Sequence, residues 1–417
     1  WKKASSYIRY HNWFSDTVEL DKIAINLPDF VAELSNDISS GRLTGSEPLR
    51  MVPAPKSQRW RVNAEGRWQP LNAGKTASKI RPLAHVTLRD QVVATAMMLC
   101  LADRVETAQG DPRISLDSPE LSSVTSYGNR LFCDKNAGQL NHRWGASKLY
   151  RGFYQDYQRF LARPETMAEP LAEMGKRVVI LQSDLRQFYD RVTPALLHER
   201  VNIMRQDGDE ESFFDLFRRF MDWRWAVQDL DEVRIYAEQA GLTDFNHVSL
   251  PQGLVASGFF ANVVLLSFDR ALRQKVGTEV LPGAELHDAV RYVDDLRLVV
   301  SVDADADVAD VEAGLFRYLQ DQLQDEAPGL EVSEEKTLAS AFRGDERPLV
   351  QQSRRMGRIQ TAISGGFDVI AGGDILDSVL GLVRTQERLA VSEDIEAKHP
   401  FLAIPDVRDA TVDRFAA

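Results

Sequence analysis

Apolar residues recur at helical spacing in five segments of the chain, and this spacing predicts helices. The segments are residues 16–40, 86–106, 146–163, 212–228 and 308–324. The first helix should break near Pro28, because proline disrupts the interior of a helix. Residues 254–272 are apolar on all sides, which predicts a helix that is buried in the core.

Shorter apolar runs predict strands between these helices. They are RVVILQSDL at 177–185, VRYVDD at 290–295, LRLVVSV at 296–302 and LEVSEEKTLAS at 330–340. Together with the helices they follow the order strand–helix–strand–strand–helix–strand, which predicts a ferredoxin-like βαββαβ unit. Residues 50–85 have the Trp, Gly and Pro content of hairpins, and the tail from residue 350 is predicted to be helical.

The composition is that of an ordinary globular protein. The 417 residues are 44% apolar and 27% charged, which allows two or three domains with a sizeable core. Two cysteines, Cys100 and Cys133, make a disulfide framework unexpected and favour a reducing, cytoplasmic location. No apolar run reaches the roughly 20 residues that cross a bilayer, so no membrane association is expected.

Charge is unevenly distributed along the chain. The formal net charge of −12 argues against a general polyanion binder. However, residues 41–160 contain 18 Lys and Arg against 10 Asp and Glu, whereas residues 301–350 contain 4 against 13. This difference is compatible with one anion-binding face in the N-terminal half, and equally with charge scattered over a solvated surface.

Acidic residues lie at two strand ends of the predicted unit. Asp294 and Asp295 form the turn between two strands, whereas Asp184 ends the first strand and Asp190 follows it. A ferredoxin-like layout brings these strand ends together, and three converging carboxylates cannot all ionise cheaply without a cation. Their oxygen atoms favour Mg²⁺ or Mn²⁺. Taken singly, the pair could be a solvated turn and Asp184 a helix N-cap.

Seven segments together resemble the motifs of reverse transcriptases, in family order and over about 290 residues. They are VPAPKS at 52–57, KIRPLAHVTLRDQVVATA at 79–96, SYGNR at 126–130, DLRQFYD at 184–190, LPQGLVASGFFANVVLLSFD at 250–269, YVDD at 292–295 and GLEVSEEKT at 329–337. The second resembles the fingers of bacterial group II intron and retron enzymes. A Phe-Leu-Gly motif that the family has on its thumb side is not evident after Lys336.

Further segments are similar to one group of bacterial reverse transcriptases, the defence-associated enzymes of the abortive-infection and unknown-group types. These segments are RYHNWFSDTVELDK at 9–22, the SYGNR variant, and LYRGFYQDYQRFL at 149–161. The net charge of −12 departs from intron-encoded enzymes, whose long RNA contacts favour positive charge.

The resemblance implies a metal site. Asp184 and Asp294 would bind two Mg²⁺ ions, or Mn²⁺ in their place, with Asp295 in support. The backbone carbonyl of Leu185 would be a further ligand. Two such ions about 4 Å apart stabilise both the attacking and the leaving oxygen of a phosphoryl transfer.

The resemblance also implies a nucleotide site. Its residues would be Arg81, Lys79, Tyr189, Gln252, Gly253 and Lys336. Arg81 and Lys79 would hold the triphosphate, whereas the ring of Tyr189 would exclude a ribose 2′-hydroxyl. The nucleotide would lie against Gln252, and the absence of a side chain at Gly253 would let the backbone approach it. The lysine would stabilise or protonate the leaving pyrophosphate.

Several of these residues also have plain structural interpretations. Tyr189 could be part of the core, Lys79 could lie on a solvated hairpin face, and Lys336 could be a surface lysine. Lys56 matches the fingers lysine of the family only weakly. Arg130 would contact the template backbone or, alternatively, form a buried structural ion pair.

The implied architecture is an α+β right-hand polymerase with a ferredoxin-like βαββαβ palm and a helical C-terminal region. Its expected parts are an N-terminal helical segment at 1–45, fingers at 46–175, a palm at 176–345 with a helical insertion at about 193–247, and a thumb or the start of a helical C-terminal domain at 346–417.

The implied activity is RNA-directed DNA synthesis from dNTPs in bacterial antiphage defence. The partners would be an RNA template or an associated non-coding RNA, the DNA product, and other subunits in a homo- or hetero-oligomer. A retron or intron-type enzyme and a catalytically silent nucleic-acid-binding module are the alternatives. An RNA-copying RNA polymerase is disfavoured, because those usually have Gly-Asp-Asp at the hairpin and no aromatic gate at the position of Tyr189.

Overall fold

The fold is known from a computed structural model that describes residues 1–10, 17–55, 60–62, 68–70 and 80–342. The predicted helical tail at 346–417, with its thumb or C-terminal domain, lies outside these residues, as do Lys56 and Lys79. Within the described ranges no helix is long and apolar enough to cross a membrane.

The first half of the chain forms helices and small antiparallel strand pairs. The helices are α1 (Lys2–Tyr10), α2 (Thr17–Ile25), α3 (Leu27–Ser39), α4 (Leu88–Gln109) and α5 (Phe153–Glu173). The strands are β1 (Arg50–Pro55), β2 (Trp60–Val62), β3 (Trp68–Pro70), β4 (Ile80–His85), β5 (Cys133–Asn136) and β6 (Gln139–His142). β1 pairs with β4, β2 with β3, and β5 with β6.

The second half contains the large sheet and the helices around it. The strands are β7 (Arg177–Asp184), β8 (Trp223–Arg224), β9 (His247–Val248), β10 (Thr278–Leu281), β11 (Ala284–Tyr292), β12 (Asp295–Val302) and β13 (Leu338–Ala341). The helices are α6 (Phe188–Arg191), α7 (Pro194–Ile203), α8 (Glu211–Phe220), α9 (Leu230–Ala240), α10 (Ser257–Gln274) and α11 (Val308–Glu326).

The large sheet has the strand order β10-β11-β12-β7-β13, and all neighbouring strands are antiparallel. Along the chain, β7, α10, β11, β12, α11 and β13 alternate as β-α-β-β-α-β, and the first strand of this series lies between the third and the fourth. This arrangement agrees with the ferredoxin-like unit predicted from the sequence, with β10 added at one edge. Helices α7, α8 and α9, together with the β8–β9 pair, form an insertion between β7 and α10.

Different helices cover the two faces of this sheet. Leu296 and Leu298 of β12 belong to the main hydrophobic core, to which α10 and α11 contribute. Val299 packs on the other face with Ala168 of α5. Because side chains alternate along a strand, Asp295 lies on the same face as Val299. The acidic end of the sheet is therefore on the face opposite α10 and α11.

Some predicted elements have other bounds in the structure. The helix expected at 146–163 begins at Phe153 and continues to Glu173. The helix expected at 212–228 ends at Phe220, because Trp223 is fully buried in the short strand β8. Its aromatic residues continued the helical spacing, but pairing with β9 decides the local structure. The strand expected at 330–340 is a single 3-10 turn followed by β13.

The predicted break in the N-terminal helix occurs two residues before the proline. Asn26 separates α2 from α3, and Pro28 lies in the first turn of α3. Proline is tolerated there because the first turn has no intrahelical partner for its backbone nitrogen.

Candidate active site

Three aspartates meet where the central strands of the large sheet end. Asp184 is the last residue of β7 and pairs in register with Asp295, the first residue of β12. Asp294 lies in the turn between β11 and β12, and its carbonyl accepts a hydrogen bond from the amide of Leu185 at 3.0 Å. The strand order therefore unites carboxylates that are more than 100 residues apart in the sequence.

The turn that contains Asp294 has an uncommon backbone conformation. Val293 has a φ of 58°, in the left-handed region that β-branched residues rarely adopt. Gly128 of the SYGNR segment packs on this turn, since a Cβ there would lie 2.6 Å from Val293 Cγ2 and 2.7 Å from its backbone nitrogen. A strained residue persists only where its surroundings hold it, and Gly128 is part of that support.

A buried arginine is hydrogen-bonded to the same turn. Arg291 is fully buried, and its guanidinium donates to both carboxylate oxygens of Asp269 on α10, at 2.8 and 2.6 Å. It also donates to the carbonyl of Val293 at 2.7 Å and to Asn262 Oδ1 at 3.2 Å. Arg291 therefore fixes the aspartate turn relative to α10.

Asn262 extends this network to the SYGNR segment. Its amide donates to the carbonyl of Gly128 at 2.8 Å, and the hydroxyl of Ser126 donates to its Oδ1 at 3.1 Å. The sequence interpretation assigned no role to Arg291, Asp269, Asn262 or Ser126. The available signal was the presence of charged and amide groups inside apolar runs, because such groups are buried only with partners.

The aspartate cluster is incompletely compensated by positive charge. Burial, and then the charge of Asp184, raise the pKa of the Asp294 carboxyl to about 6. Burial, and then the charges of Asp294 and Asp184, raise the pKa of the Asp295 carboxyl to about 7. The ammonium of Lys336 lies 2.8 Å from Asp184 Oδ1. Since the nearby cations do not restore the ordinary pKa of either carboxyl, the cluster favours a further cation.

The donor chemistry of the cluster fits the predicted metal ions, because Mg²⁺ and Mn²⁺ prefer carboxylate oxygens. The arrangement does not yet match a complete site, since no group of three or more His, Cys, Asp or Glu side chains in the described part of the chain is set to hold a metal. One oxygen of Asp184 receives a hydrogen bond from Lys336. The other carboxylate oxygen of Asp184 is not part of this ion pair. The Leu185 carbonyl stays a prediction as a ligand.

A fourth aspartate fixes the predicted nucleotide residue Gln252. Gln252 Nε2 donates to Asp190 Oδ1 at 3.0 Å, and the hydroxyl of Tyr236 donates to Asp190 Oδ2 at 2.6 Å. Burial, and then the charge of Asp190, raise the pKa of Tyr236, so its hydroxyl keeps the proton that it donates. Tyr236 lies on α9, and the insertion therefore helps to position the loop of Gln252.

Gly253 allows a close approach, but its neighbour is the chain's own strand β4. It has a φ of 149°, and a Cβ would lie 2.0 Å from the carbonyl oxygen of Ala84. The amide of Ala84 donates to the carbonyl of Gln252 at 2.8 Å, and Gln91 of α4 donates to the carbonyl of Gly253 at 2.7 Å. The side of Gly253 where a Cβ would lie is thus packed against β4, whereas Gly253 also lines a cavity with Tyr189, and its approach to a nucleotide stays a prediction.

Tyr189 lies at a cavity of about 190 Å³ beside this loop. The lining includes Tyr7, Asn129, Tyr150, Tyr189 and residues 251–255. Asn129 Nδ2 donates to the hydroxyl oxygen of Tyr189 at 3.2 Å, and the tyrosine ring packs against the main core. Burial, and then the charge of Asp294, raise the pKa of Tyr189, so its phenol stays neutral. Tyr189, whose ring is predicted to exclude a ribose 2′-hydroxyl, therefore lies near the aspartates and also packs against the core.

A larger cleft of about 600 Å³ lies at Asp184. Its lining includes Ile80, Asp184, Arg186, Gln187 and Lys336. Arg81 follows Ile80 on β4 and has an exposed side chain, so the predicted triphosphate contact lies next to a residue of this cleft. Contact between Arg81 and a phosphate stays a prediction.

Arg130 does not face a template groove. Its side chain is fully buried and donates to Glu106 Oε2 at 2.8 Å and to the carbonyl of Ser126 at 2.7 Å. The template contact expected for Arg130 is therefore wrong, and the alternative, a buried structural ion pair, is what the structure contains. An arginine within a loop motif does not reveal from sequence which side of the loop is buried.

No family model matches the chain, and no curated protein matches it. Among solved structures, telomerase from Candida albicans, in complex with a TWJ fragment of telomeric RNA, matches with 12% identity and a TM-score of 0.37, covering 76% of this chain and 46% of that chain. Apo telomerase from Candida tropicalis, truncated from the C-terminal domain, matches with 13% identity and a TM-score of 0.33, covering 75% and 55%. The chain thus spans about half the length of these telomerases, and similarity at this level is too low to establish a shared fold or function.

Proposed function

We propose that this protein is a reverse transcriptase, an enzyme that synthesises DNA on RNA from dNTPs in the presence of Mg²⁺. The observation that carries the proposal is the meeting of Asp184, Asp294 and Asp295 at one end of a ferredoxin-like sheet. Tyr189 is close enough to Asp294 for the carboxylate charge to raise the pKa of its phenol, and the loop of Gln252 lines the same cavity as Tyr189. The order of the seven sequence motifs supports the same interpretation.

The proposed roles follow the chemistry of each side chain. Asp184, Asp294 and Asp295 hold two Mg²⁺ ions, which stabilise the charge that develops on the oxygens of a transferred phosphoryl group. Lys336, which donates to Asp184 in the structure, would stabilise or protonate the leaving pyrophosphate. Arg81, with Lys79, holds the triphosphate, since a guanidinium can bind phosphate oxygens in pairs. Positioning and charge stabilisation are sufficient for this reaction, which needs no covalent nucleophile from the protein.

The proposed domain organisation is fingers at 46–175, a palm at 176–345 and a thumb or helical C-terminal domain after it. The proposed partners are an RNA template or an associated non-coding RNA, and the proposed setting is bacterial antiphage defence. This setting rests on the similarity of residues 9–22, 126–130 and 149–161 to defence-associated enzymes.

One observation favours a second candidate, a catalytically silent nucleic-acid-binding module. The ammonium of Lys336 already pairs with one carboxylate oxygen of Asp184, and no group of three or more His, Cys, Asp or Glu side chains in the described ranges is set to hold a metal. In a silent module the ion pair with Lys336 would take the place of a metal ion at Asp184.

Incorporation of dNTPs by the purified full chain in Mg²⁺ tests the proposal. The reaction is run with added primed RNA and with co-purifying RNA either kept or digested, in parallel with Asp294→Asn. The exposed Asp305→Asn serves as a matched control. Incorporation that Asp294→Asn abolishes and Asp305→Asn retains supports the enzyme. Folded protein that binds RNA yet incorporates nothing under any condition supports the silent module.

A further inference from the structure

Asn129 occupies a position that only a few residue types can hold. Its φ is 52°, in the left-handed region where asparagine is several-fold enriched among non-glycine residues. Its carbonyl accepts a hydrogen bond from Asn262 at 3.4 Å, next to the stronger bond that Gly128 accepts. The backbone of Asn129 is therefore fixed by the network that also holds the aspartate turn.

Helix α10 leaves space for the side chain of Asn129. A Cβ at Gly258, in the first turn of α10, would lie 2.7 Å from both Cγ and Nδ2 of Asn129. Any larger residue at Gly258 would displace the amide. The glycine therefore allows the Asn129 amide to point at the hydroxyl of Tyr189, to which Nδ2 donates at 3.2 Å.

Tyr189 lies on a very short helix and beside a cavity. Helix α6 is only four residues long and begins after Gln187, which has a left-handed φ of 47°. The cavity of about 190 Å³ adjoins the ring, between Tyr189 and the side chains of Tyr7 and Tyr150. A cavity of roughly 150 Å³ is enough to admit a benzene ring, so the phenol has room to turn away from the aspartates.

We propose that Asn129 is a positioning residue for sugar selection, holding the ring of Tyr189 at the place where a ribose 2′-hydroxyl would collide with it. This inference rests on the proposed reverse transcriptase function. Without the Asn129 amide the ring turns into the cavity for part of the time, and ribonucleotides then enter the site. The effect falls on discrimination between sugars, whereas a role of Asn129 in the fold alone would lower both activities together.

The experiment measures kcat/KM for a dNTP and for the corresponding rNTP with the full chain. The variants are Asn129→Ala, Asn129→Asp, Tyr189→Phe, Tyr189→Ala and the double variant Asn129→Ala/Tyr189→Phe, with the exposed Asn202→Ala as the matched control. Asn129→Asp keeps the shape and the left-handed preference and reverses the bond, because the Tyr189 hydroxyl can donate to the new carboxylate, so the sugar preference should largely be retained. Thermal unfolding of each variant reports whether the fold is intact.

Loss of one hydrogen bond should reduce the dNTP-to-rNTP preference about fivefold in Asn129→Ala, while Asn202→Ala stays at the wild-type ratio. Tyr189→Phe breaks the same bond from the other side and should show a similar reduction. The double variant should then show no further change, because the two substitutions remove one interaction. If the Asn129 variants do not fold, the reduction in Tyr189→Phe alone supports the inference and an unchanged ratio overturns it.

Two results separate this inference from the proposed function. An unchanged preference in folded Asn129→Ala, together with a lost preference in Tyr189→Ala, overturns the role of Asn129 and leaves the polymerase and its tyrosine gate in place. The absence of dNTP incorporation by the wild-type protein overturns the proposed function, and the inference with it.

Discussion

Carboxylates have opposite surroundings in the interior of the protein and at the end of the large sheet. In the interior, Asp269 and Asp288 each meet a buried guanidinium, from Arg291 and Arg163 respectively, at distances of 2.5–2.8 Å. At the end of the sheet, Asp294 meets other carboxylates and has a raised pKa. Asp288 and Asp294 belong to the same β11–β12 hairpin, whereas Asp269 lies on α10 and is joined to this hairpin by Arg291.

The difference teaches how to separate structural charge from functional charge. A buried ion pair satisfies its own charges and leaves nothing for a ligand to neutralise. A cluster of like charges is costly in the isolated protein and becomes favourable only when a cation is supplied. The interior ion pairs therefore stabilise the fold, whereas the carboxylate cluster at the strand ends is the part of the molecule that is expected to bind a cation.

The largest expected effect is on catalysis at the uncompensated end. Asp294→Asn should lower dNTP incorporation by roughly a thousandfold or more, because metal stabilisation of a phosphoryl transfer is worth several kcal/mol. In metal-free buffer at pH values above 6, Asp294→Asn should have a higher free energy of unfolding than the wild-type protein, since the substitution removes a carboxyl whose ionised form is disfavoured in the fold. Steady-state incorporation and chemical denaturation measure the two effects.

The matched control for that variant is Asp305→Asn, an exposed residue beyond β12. It should leave both incorporation and unfolding at wild-type values. If Asp294→Asn were less stable than the wild-type protein, the Asp294 carboxylate would be stabilised by its surroundings, as Asp269 and Asp288 are. This result would contradict the difference between the two regions.

The next largest effect is expected on stability at the compensated interior. Arg291→Met should lower the free energy of unfolding by about 3–5 kcal/mol, because it leaves Asp269 buried without a counter-charge. Adding Asp269→Leu should recover part of this loss, since the pair is then replaced by apolar groups. Urea denaturation of both variants measures the cost, and a double variant no more stable than Arg291→Met would contradict the ion-pair explanation.

A smaller effect distinguishes the two regions by their response to metal. Mg²⁺ at a hundred times its Kd should stabilise the wild-type protein by about 2.7 kcal/mol, because the ion binds only the folded cluster. Asp294→Asn should lose most of this stabilisation, and Asp305→Asn should keep it. Thermal unfolding with and without EDTA gives the measurement. An equal response of wild type and Asp294→Asn would place the metal elsewhere.

The smallest effect concerns a buried base in the first half of the chain. His142 is 3% exposed, its ring nitrogens have no hydrogen-bond partner among the described residues, and burial lowers its pKa to about 4. A depressed pKa means that the unfolded chain binds the proton more readily, so stability is lost as pH falls from about 6.5 towards 4. The loss should reach about 1 kcal/mol by pH 5.5.

The matching variant is His142→Phe, which cannot be protonated and keeps a ring of similar shape. Its unfolding free energy should lack the component of acid sensitivity that His142 contributes between pH 6.5 and 5.5. Denaturant midpoints at a series of pH values test this, and an equal slope in both proteins would contradict the assignment. Trp144, which packs edge-on against His142, provides a fluorescence signal for the transition.

The local sequence pattern predicted much of the ferredoxin-like unit. The apolar runs of β7, β11 and β12, and the helical spacing of α11, depend on burial of one face or of a whole segment, and that requirement is visible in one dimension. The same reasoning failed after Phe220, where helical spacing continues but Trp223 is drawn into a strand by its partner. The β5–β6 hairpin was not predicted, because its short strands have few apolar positions.

The candidate site was predictable to the extent that its residues carry chemistry. Asp184, Asp294 and Asp295 were identified because adjacent carboxylates at strand ends are unusual. The hydrogen-bond network that holds the aspartate turn was not predicted, since Asn262 and Arg291 have partners that are distant in sequence. The interpretation of Arg130 was wrong for the same reason, because its partner Glu106 is 24 residues earlier on α4.

By itself, the sequence determined the βαββαβ order of the large sheet and its helices, the carboxylates at the strand ends and the aromatic residue that follows Asp184, since these depend on periodicity and residue type. Only the tertiary structure decided that Lys336 pairs with Asp184, that one side of Gly253 packs against β4, and that Asn129 donates to Tyr189. The physical reason is that hydrogen bonds and close packing act over a few ångströms. Which groups come that close is set by how distant segments of the chain cross in the fold.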